Sequence, residues 1–328
     1  VNHIMIGSDT VPRLGYGCMG LTQAYQPVSS DKAKALLQKI AGDGPVMLDT
    51  AATYSGGKNE ILVGSVLKTS REQVFLASKA GMYKNPDGSR EIDGDPDRII
   101  RSCDESLSRL GTDVIDLFYL HRVDHRVPVE ESVGAIDQLI SQGKVRYAGL
   151  SEVSQSTLER ARSVTAIHAL QSEYSLWSRR VEDGILKYCR DHGIALVAYS
   201  PVGRGFLAGS VRKMSQLSER DIRHGMPRFQ GNAFENNLRV LEQVELLGLR
   251  WGMTLAQVCL NWLWSRGEHV GAIPGTTNLS HWRDDQGATT PLSDRQVGQL
   301  ESLLKAYRFQ GDRYTSDKLA QLDSEQSK

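Results

Sequence analysis

Short apolar runs and amphipathic stretches alternate along most of the chain. The runs at 13–18, 46–50, 74–79, 114–121, 146–151, 167–171, 194–200 and 270–274 have the length and the Val, Ile, Leu and Ala content of buried strands. Between them, 31–42, 58–69, 96–110, 129–142, 154–163 and 178–192 predict helices. In DPDRIIRSCDESLSRLG, for example, Ile99, Ile100, Cys103, Leu107 and Leu110 recur at helical spacing. Asp95 can cap that helix, Pro96 suits its first turn and Gly111 ends it. VEESVGAIDQLISQG repeats the pattern and stops at Gly143. Eight strands mostly separated by helices predict a parallel sheet, and at this length the natural closure is a (β/α)8 TIM barrel. Upstream, HIMI-GSDT-VPRL reads as a β-hairpin with Gly-Ser-Asp as its turn.

Two segments break the rhythm. Residues 203–232, after the seventh strand, form a long loop rich in Gly, Arg and Ser, and loops of that length in a compact domain are usually lids or binding loops. Beyond a helical pattern at 293–306, the polar end 315–328 reads as a frayed tail. No linker divides the chain, so 1–328 is expected to be one domain.

Composition narrows the function classes. Of 328 residues, 40 % are hydrophobic and 24 % charged, ordinary for a globular protein. Acids and bases balance at 39 each, which implies no long-range attraction to nucleic acid or to a membrane surface. No apolar run approaches the roughly 18 residues of a membrane span. The opening VNHIMIGSDTVPRLG lacks the regions of a signal peptide, and Cys18, Cys103, Cys189 and Cys259 form no CxxC. A cytoplasmic protein with reduced thiols and a small-molecule partner is expected.

Candidate chemistry lies where the strands end. Asp49 closes VMLD, Lys79 closes VFLASK, His121 closes VIDLFYLH, and Tyr54 follows Asp49 by five residues. Side chains at the C-terminal ends of barrel strands converge on one rim, where barrel catalysis is placed. Each residue alone has a bland explanation: a cap, a packed phenol, an exit to solvent, a polar loop. Together at one rim they suit carbonyl reduction. Tyr54 can donate the proton, with Lys79 expected to lower the phenol's pKa from about 10. Asp49 would hold Lys79 charged, and His121 would orient the carbonyl oxygen. No metal is needed, and His121 and His125, four apart in a loop with Pro128, do not read as ligands. The literal G-x-G-x-x-G at 15–20 is a decoy, because LTQAYQPVSS follows it instead of a helix start. Its glycines read as a first barrel strand that something approaches closely.

Over roughly residues 10–310 the chain resembles the aldo-keto reductases, through GYGCMGL, LDTAATY, ASKAG, DLFYLHR, VRYAGLSE, LQSEYS, AYSPVGRGFL and IPGT in that order. RVDHRVP, GLSEVS, AYSPVGRGFLAG and PRFQGNAFENN are most similar to the branch of pyridoxal reductases and perakine-type reductases. The resemblance implies Asp49, Tyr54, Lys79 and His121 as the catalytic tetrad. It implies a nicotinamide cofactor held by Ser151 and Gln171 at the carboxamide, with Glu152 where many relatives have Asn. Tyr199 would lie under the ring, and Ser200, Pro201, Gly203, Arg204, Gly205 and Leu207 would cross the pyrophosphate. Gly17, Met19 and Asp49 would also touch the cofactor. At the adenosine end stand Pro274, Gly275, Thr276, His281, Arg283, Asp284 and Asp285. This end departs from the family pattern. Thr276, Thr277 and Asn278 are uncharged, His281 replaces a common arginine, and Asp285 replaces Asn. NADPH is the expected cofactor, with NADH or dual use open. Met19, Tyr54, Met82, Tyr83, His121 and Trp177 are candidates for the substrate pocket, with 223–231 as a lid and Trp282 beside the cofactor. The leading expectation is a reductase of aldehydes or ketones, a pyridoxal-like aldehyde favoured. A keto-sugar or natural-product ketone is the alternative substrate, and a cofactor-sensing regulatory subunit the alternative function class. A monomer or weak homo-oligomer is expected.

Overall fold

A computed structural model describes residues 2–85 and 87–326. The chain opens with an antiparallel hairpin of β1 (His3–Ile6) and β2 (Asp9–Pro12). Ile6 pairs with Asp9, so the turn is Gly7 and Ser8 alone, and Asp9 belongs to the strand rather than the turn. Gly7 has φ +60°, and a Cβ there would lie 2.1 Å from the Tyr147 ring, so the position requires glycine.

The first barrel strand, β3 (Tyr16–Gly17), is followed by α1 (Ser30–Gly42), β4 (Val46–Asp49), α2 (Lys58–Ser70) and β5 (Val74–Ala80). A ribbon of β6 (Met82–Lys84) and β7 (Arg90–Ile92) then precedes α3 (Pro96–Leu110) and β8 (Ile115–Leu120). Next come α4 (Val129–Ser141), β9 (Val145–Ser151), α5 (Gln155–Arg162), β10 (Ile167–Glu173), α6 (Ile185–Asp191) and β11 (Ala195–Tyr199). The last strand, β12 (Val270–Ile273), follows α7 (Gly231–Trp251) and α8 (Leu255–Trp264). These two helices are not among those predicted above.

The eight strands β3, β4, β5, β8, β9, β10, β11 and β12 are parallel neighbours in that order. The sheet closes on itself where Leu14 bridges Ala272, with Ala272 N–H donating to Arg13 O at 2.7 Å and Gly15 N–H to Ala272 O at 2.8 Å. The predicted strand 13–18 is thus shared. Its first half bonds to the last strand, and only Tyr16 and Gly17 pair with β4.

Five of the predicted helices appear within a residue or so of their expected bounds. Asp95 accepts from Arg98 N–H at 2.9 Å and Ser154 from Thr157 N–H at 3.2 Å, the caps that begin α3 and α5. The predicted helix 178–192 is broken. A 3-10 turn at Arg180–Asp183 is separated from α6 by Gly184, whose φ is +136°. The loop after β11 is a succession of 3-10 turns, not a helix or a free coil.

Inside the barrel, Met47, Ala77, Leu117, Tyr119, Ala169 and Val197 are buried, and Ile4, Ile6 and Val11 of the hairpin seal the N-terminal end beneath them. Each Val, Leu, Ile or Met side chain among them contributes about 1.5–3 kcal/mol by leaving water. With that end closed, access to the barrel axis is from the C-terminal rim.

After β12 come α9 (Leu279–Gln286) and α10 (Asp294–Ala306), and then the polar end, which is not frayed over its described residues. It forms α11 (Ser316–Leu319) and α12 (Asp323–Gln326), buries Leu322, and lies on the rim. Ser324 N–H donates to Glu152 O at 3.0 Å, and Asp323 accepts from Ser154 N–H at 2.7 Å. Asp323 and Glu325 of this tail find specific partners, Ser154 and Arg313, which composition does not reveal.

Candidate active site

The four strand-end residues meet on the rim. Asp49 is the last residue of β4, Lys79 lies at the end of β5, and His121 follows β8 directly. Tyr54 begins a 3-10 turn one loop beyond β4. That turn runs through Ser55 (φ +51°), where Ser55 N–H donates to Gln23 Oε1 at 2.8 Å and its hydroxyl to Thr22 O at 2.9 Å. A non-glycine residue in this conformation costs of order 1–3 kcal/mol, and here it is fixed by two hydrogen bonds next to the candidate proton donor.

Lys79 is fully buried, its Nζ ion-paired with Asp49 Oδ1 and donating to Thr50 O at 2.8 Å. The other carboxylate oxygen of Asp49 accepts from Gln171 Nε2 at 2.8 Å. Nζ lies 5.4 Å from the centroid of the Tyr54 ring, and the Tyr54 and His121 rings meet edge-on at 5.9 Å. Burial works against the Lys79 charge, but Asp49 and Tyr54 outweigh it and hold the pKa above its usual value. Burial also raises the Tyr54 phenol, with Lys79 opposing it. The net direction is upward, the reverse of the lowering expected from the sequence, because desolvation exceeds the pull of the ammonium. Burial, then Arg122, Lys79 and Arg90, push His121 well below its ordinary value, so the imidazole is neutral at neutral pH. Its Nδ1 has no hydrogen-bond partner among the described residues.

This cluster lies in a cavity of about 960 Å³. Of the predicted site residues, Gly17, Met19, Asp49, Tyr54, Met82 and His121 line it on the early strands. Ser151, Gln171, Tyr199, Ser200, Pro201, Arg204 and Gly205 line it on the later ones, and Pro274, Gly275, Thr276 and His281 at the end of β12. Ser200 (φ +50°) and Arg204 (φ +56°) are non-glycine residues in left-handed conformations, and Gly205 follows at φ +84°. The Arg204 guanidinium is held by Tyr314 Oη at 2.9 Å and Tyr25 Oη at 3.3 Å. A half-buried guanidinium beside glycine-flanked backbone amides is a fit for the pyrophosphate of a dinucleotide. The cavity wall fits as well: a Cβ on Gly275 would lie 2.8 Å from Gly17 O, so the strand ends pack with no room for side chains between them.

Several predicted residues do not reach the cavity. Tyr83 is turned away by strand alternation: Met82 faces the cavity, while Tyr83 lies under Arg98 at 3.9 Å. Trp177 belongs to an aromatic cluster beneath the loop, 4.7 Å from Phe206, 5.4 Å from Phe309 and 5.5 Å from Phe229. Leu207 is fully buried beneath the loop, and Gly203 packs on it, a Cβ there falling 2.7 Å from Leu207 Cγ. Trp282 is buried against Tyr16. Of the expected lid, Arg223, Gly225 and Met226 line the cavity, but Arg223 is tied to Asp221 and Arg228 to Glu173 at 3.0 Å.

Glu152 also points away. Its oxygens accept from Arg313 Nη1 at 2.8 Å and Nη2 at 2.6 Å and from Ser324 Oγ at 2.6 Å. Burial opposes the charge, yet Arg313 holds the pKa at about 2. Instead of facing a cofactor, Glu152 anchors the C-terminal tail. At the far end Asp284 bonds Thr254 Oγ1 at 2.8 Å and Gln257 Nε2 at 2.9 Å, and Arg283 is exposed.

The sequence profile described as the Aldo/keto reductase family matches residues 13–305. The chain belongs to the aldo/keto reductase family. It is 38 % identical over 316 residues to the protein named aldo-keto reductase yakc, NADP(+), of Schizosaccharomyces pombe, covering 94 % of this chain and 93 % of that one. Among solved structures, a glycerol dehydrogenase from Gluconobacter oxydans superimposes with a TM-score of 0.85 at 24 % identity, covering 96 % of this chain and 98 % of that one, a likeness of fold alone. An aldo-keto reductase from Klebsiella pneumoniae in complex with NADPH gives a TM-score of 0.71 at 25 % identity, covering 93 % of this chain and 95 % of that one. This reductase is therefore a (β/α)8 barrel with the candidate residues standing on its C-terminal rim.

Sequence reasoning passed over several lining residues of the reductase. Tyr25 lies in a loop, Arg90 begins β7, and Tyr314, Asp317, Lys318, Gln321 and Leu322 come from the tail. Arg122, next to His121, was legible as a polar neighbour; it donates to His121 O at 2.6 Å and to Ser151 Oγ at 3.1 Å. The tail residues leave no local signal, since their partners are remote in sequence.

Asp285 is buried, and burial, then Asp284, push its carboxyl up to about 7. A raised carboxyl stabilises the folded state only while protonated, so its contribution is lost as pH rises from the ordinary carboxylate range to about 7. Asp285→Asn is expected to raise stability above pH 7 by up to about 4 kcal/mol, at 1.36 kcal/mol per pKa unit, and to change little near pH 4. Denaturant titrations of wild type and variant at the two pH values check this; equal stabilities at high pH would contradict it.

Proposed function

We propose that this protein reduces an aldehyde or ketone to the alcohol with NADPH, with Tyr54 as the proton donor and a pyridoxal-like aldehyde as the favoured substrate. It would do so in the cytoplasm, as a monomer or weak homo-oligomer. The observation that carries the reading is the buried Asp49–Lys79 pair beside Tyr54 and His121 on the floor of the cavity. When bound, the nicotinamide supplies the hydride. Ser151 and Gln171 would orient its carboxamide, the Tyr199 ring would form the wall beside it, and Arg204 with the loop from Ser200 to Gly205 would hold the phosphates.

The chain's own residues account for the proton. The raised pKa keeps Tyr54 a phenol at neutral pH, as a donor must be. Proton transfer leaves a phenolate, which the Lys79 ammonium stabilises and Asp49 keeps in place. The neutral His121 can donate one N–H to the carbonyl oxygen without competing as an acid. The resemblance of RVDHRVP and PRFQGNAFENN to the pyridoxal reductase branch supports the choice of aldehyde.

The experiment is NADPH oxidation followed with pyridoxal, nitrobenzaldehydes, isatin and keto-sugars. Turnover is expected, with pyridoxal among the best. Cofactor binding with no turnover of any carbonyl would favour a regulatory role instead. The segment after β12 lines the cavity with Thr276, Thr277 and His281 and contributes no lysine or arginine to it. A 2′-phosphate is ordinarily met by arginine. NADPH is expected to show the lower KM, with a modest margin over NADH; a clear preference for NADH would overturn the cofactor choice.

A further inference from the structure

The ribbon after β5 sets an exposed positive charge, without a protein partner among the described residues, on the cavity that holds His121. Alternation along its two strands gives it two faces. Met82, Arg90 and Ile92 face the cavity, while Glu91 on the other face bonds Arg98 Nη1 at 2.9 Å. The ribbon's acids, Glu91 and Asp93, are both used by Arg98. Its register places Lys84 directly opposite Arg90. Like charges directly opposite on a ribbon are destabilising. Both are exposed, and neither side chain has a hydrogen bond or ion pair among the described residues, so water alone screens the repulsion. A third cation, Arg122, also lines the cavity beside His121. The carboxylates that line it are Asp49, already paired with Lys79, and Asp317 on the tail.

The phosphates of a dinucleotide do not account for this charge. Arg204 follows the seventh barrel strand and the ribbon follows the third. In an eight-stranded barrel these lie on opposite sides of the rim. Met82 and Ile92, paired across the ribbon, give the same cavity an apolar surface.

We propose that the carbonyl substrate carries an anionic group, a carboxylate or a phosphate, which Arg90 binds at the rim with Lys84 and Arg122 reinforcing the field, while an apolar body rests on Met82 and Ile92. This rests on the reduction reading above and specifies the substrate class of the same site. The aldehyde carbon is then held toward Tyr54 and His121 by its charged far end.

The test uses the full chain with NADPH and two matched pairs: para-carboxybenzaldehyde against methyl para-formylbenzoate, and pyridoxal phosphate against pyridoxal. Wild type is compared with Arg90→Gln and Arg90→Lys. Comparing each pair across enzymes cancels the intrinsic reactivity of the aldehydes. In Arg90→Gln the anionic-to-neutral ratio of kcat/KM is expected to fall roughly two- to fivefold at low ionic strength, mostly through KM, as for an exposed charge contact. Arg90→Lys should retain most of the ratio, and salt should lower it in wild type. The pair with the larger fall tells carboxylate from phosphate. An unchanged ratio in Arg90→Gln for both pairs overturns the proposal. If no aldehyde is turned over, the reduction reading fails, and the same ratio is read from calorimetric titration of the aldehydes into the two proteins.

Discussion

Tyr54→Phe is expected to lower kcat for carbonyl reduction by about 10²–10⁴-fold, the usual contribution of a positioned general acid, and to leave cofactor binding in place. The substitution removes one oxygen and keeps the ring that meets His121 edge-on at 5.9 Å and lies 5.4 Å from Lys79 Nζ. The loss therefore reports on the proton and not on packing. Single-turnover reduction separates the chemical step from release, and quenching of protein fluorescence by NADPH measures binding. Reduction that survives at near wild-type rate would remove Tyr54 from the proton-donor role. Loss of cofactor binding together with activity would point to a collapsed site instead.

Arg313→Met is expected to destabilise the folded protein by about 3–5 kcal/mol, because it strands the buried Glu152 carboxylate without its partner. That is a large share of the 5–15 kcal/mol by which folded domains exceed their unfolded states. Arg313 also bridges to Glu325 at 2.9 Å, so its loss should free the tail from the rim and make residues beyond 313 sensitive to protease. Denaturant unfolding and limited proteolysis at neutral pH read the two effects. Combining it with Glu152→Gln removes the uncompensated charge and should recover part of the stability. The pH dependence has a definite sign. The Glu152 pKa is depressed to about 2, so its contribution is complete above the ordinary carboxylate range and is lost as pH falls toward 2. An Arg313→Met protein as stable as wild type, with a protected tail, would show that the pair does not hold the tail.

The tail marks where sequence reading stops. The barrel was legible because its signals are local: apolar runs of strand length, helical spacing in 96–110 and its caps at Asp95 and Gly111. Strand ends place side chains on the rim by topology alone, so Asp49, Lys79 and His121 could be read together from three short segments. Tyr83 and Trp177 could not be placed, because one depends on the face of a short ribbon and the other on how a loop packs. The order of α8 was missed where the apolar residues run nearly all round, as in LAQVCLNWLW, and periodicity fades, whereas the helical spacing of Val240, Leu241, Val244 and Leu247 in α7 was legible.

By itself the sequence determined the alternation of strands and helices, the closed barrel and the acid, phenol, amine and imidazole at its rim. These follow from patterns a few residues long. Tertiary structure alone decided that burial raises the Tyr54 phenol, that Glu152 turns from the cavity to Arg313, and that the polar end packs on the rim. Desolvation depends on everything that surrounds a group, and Glu152 and Arg313 lie 161 residues apart, a separation at which no local pattern announces a partner.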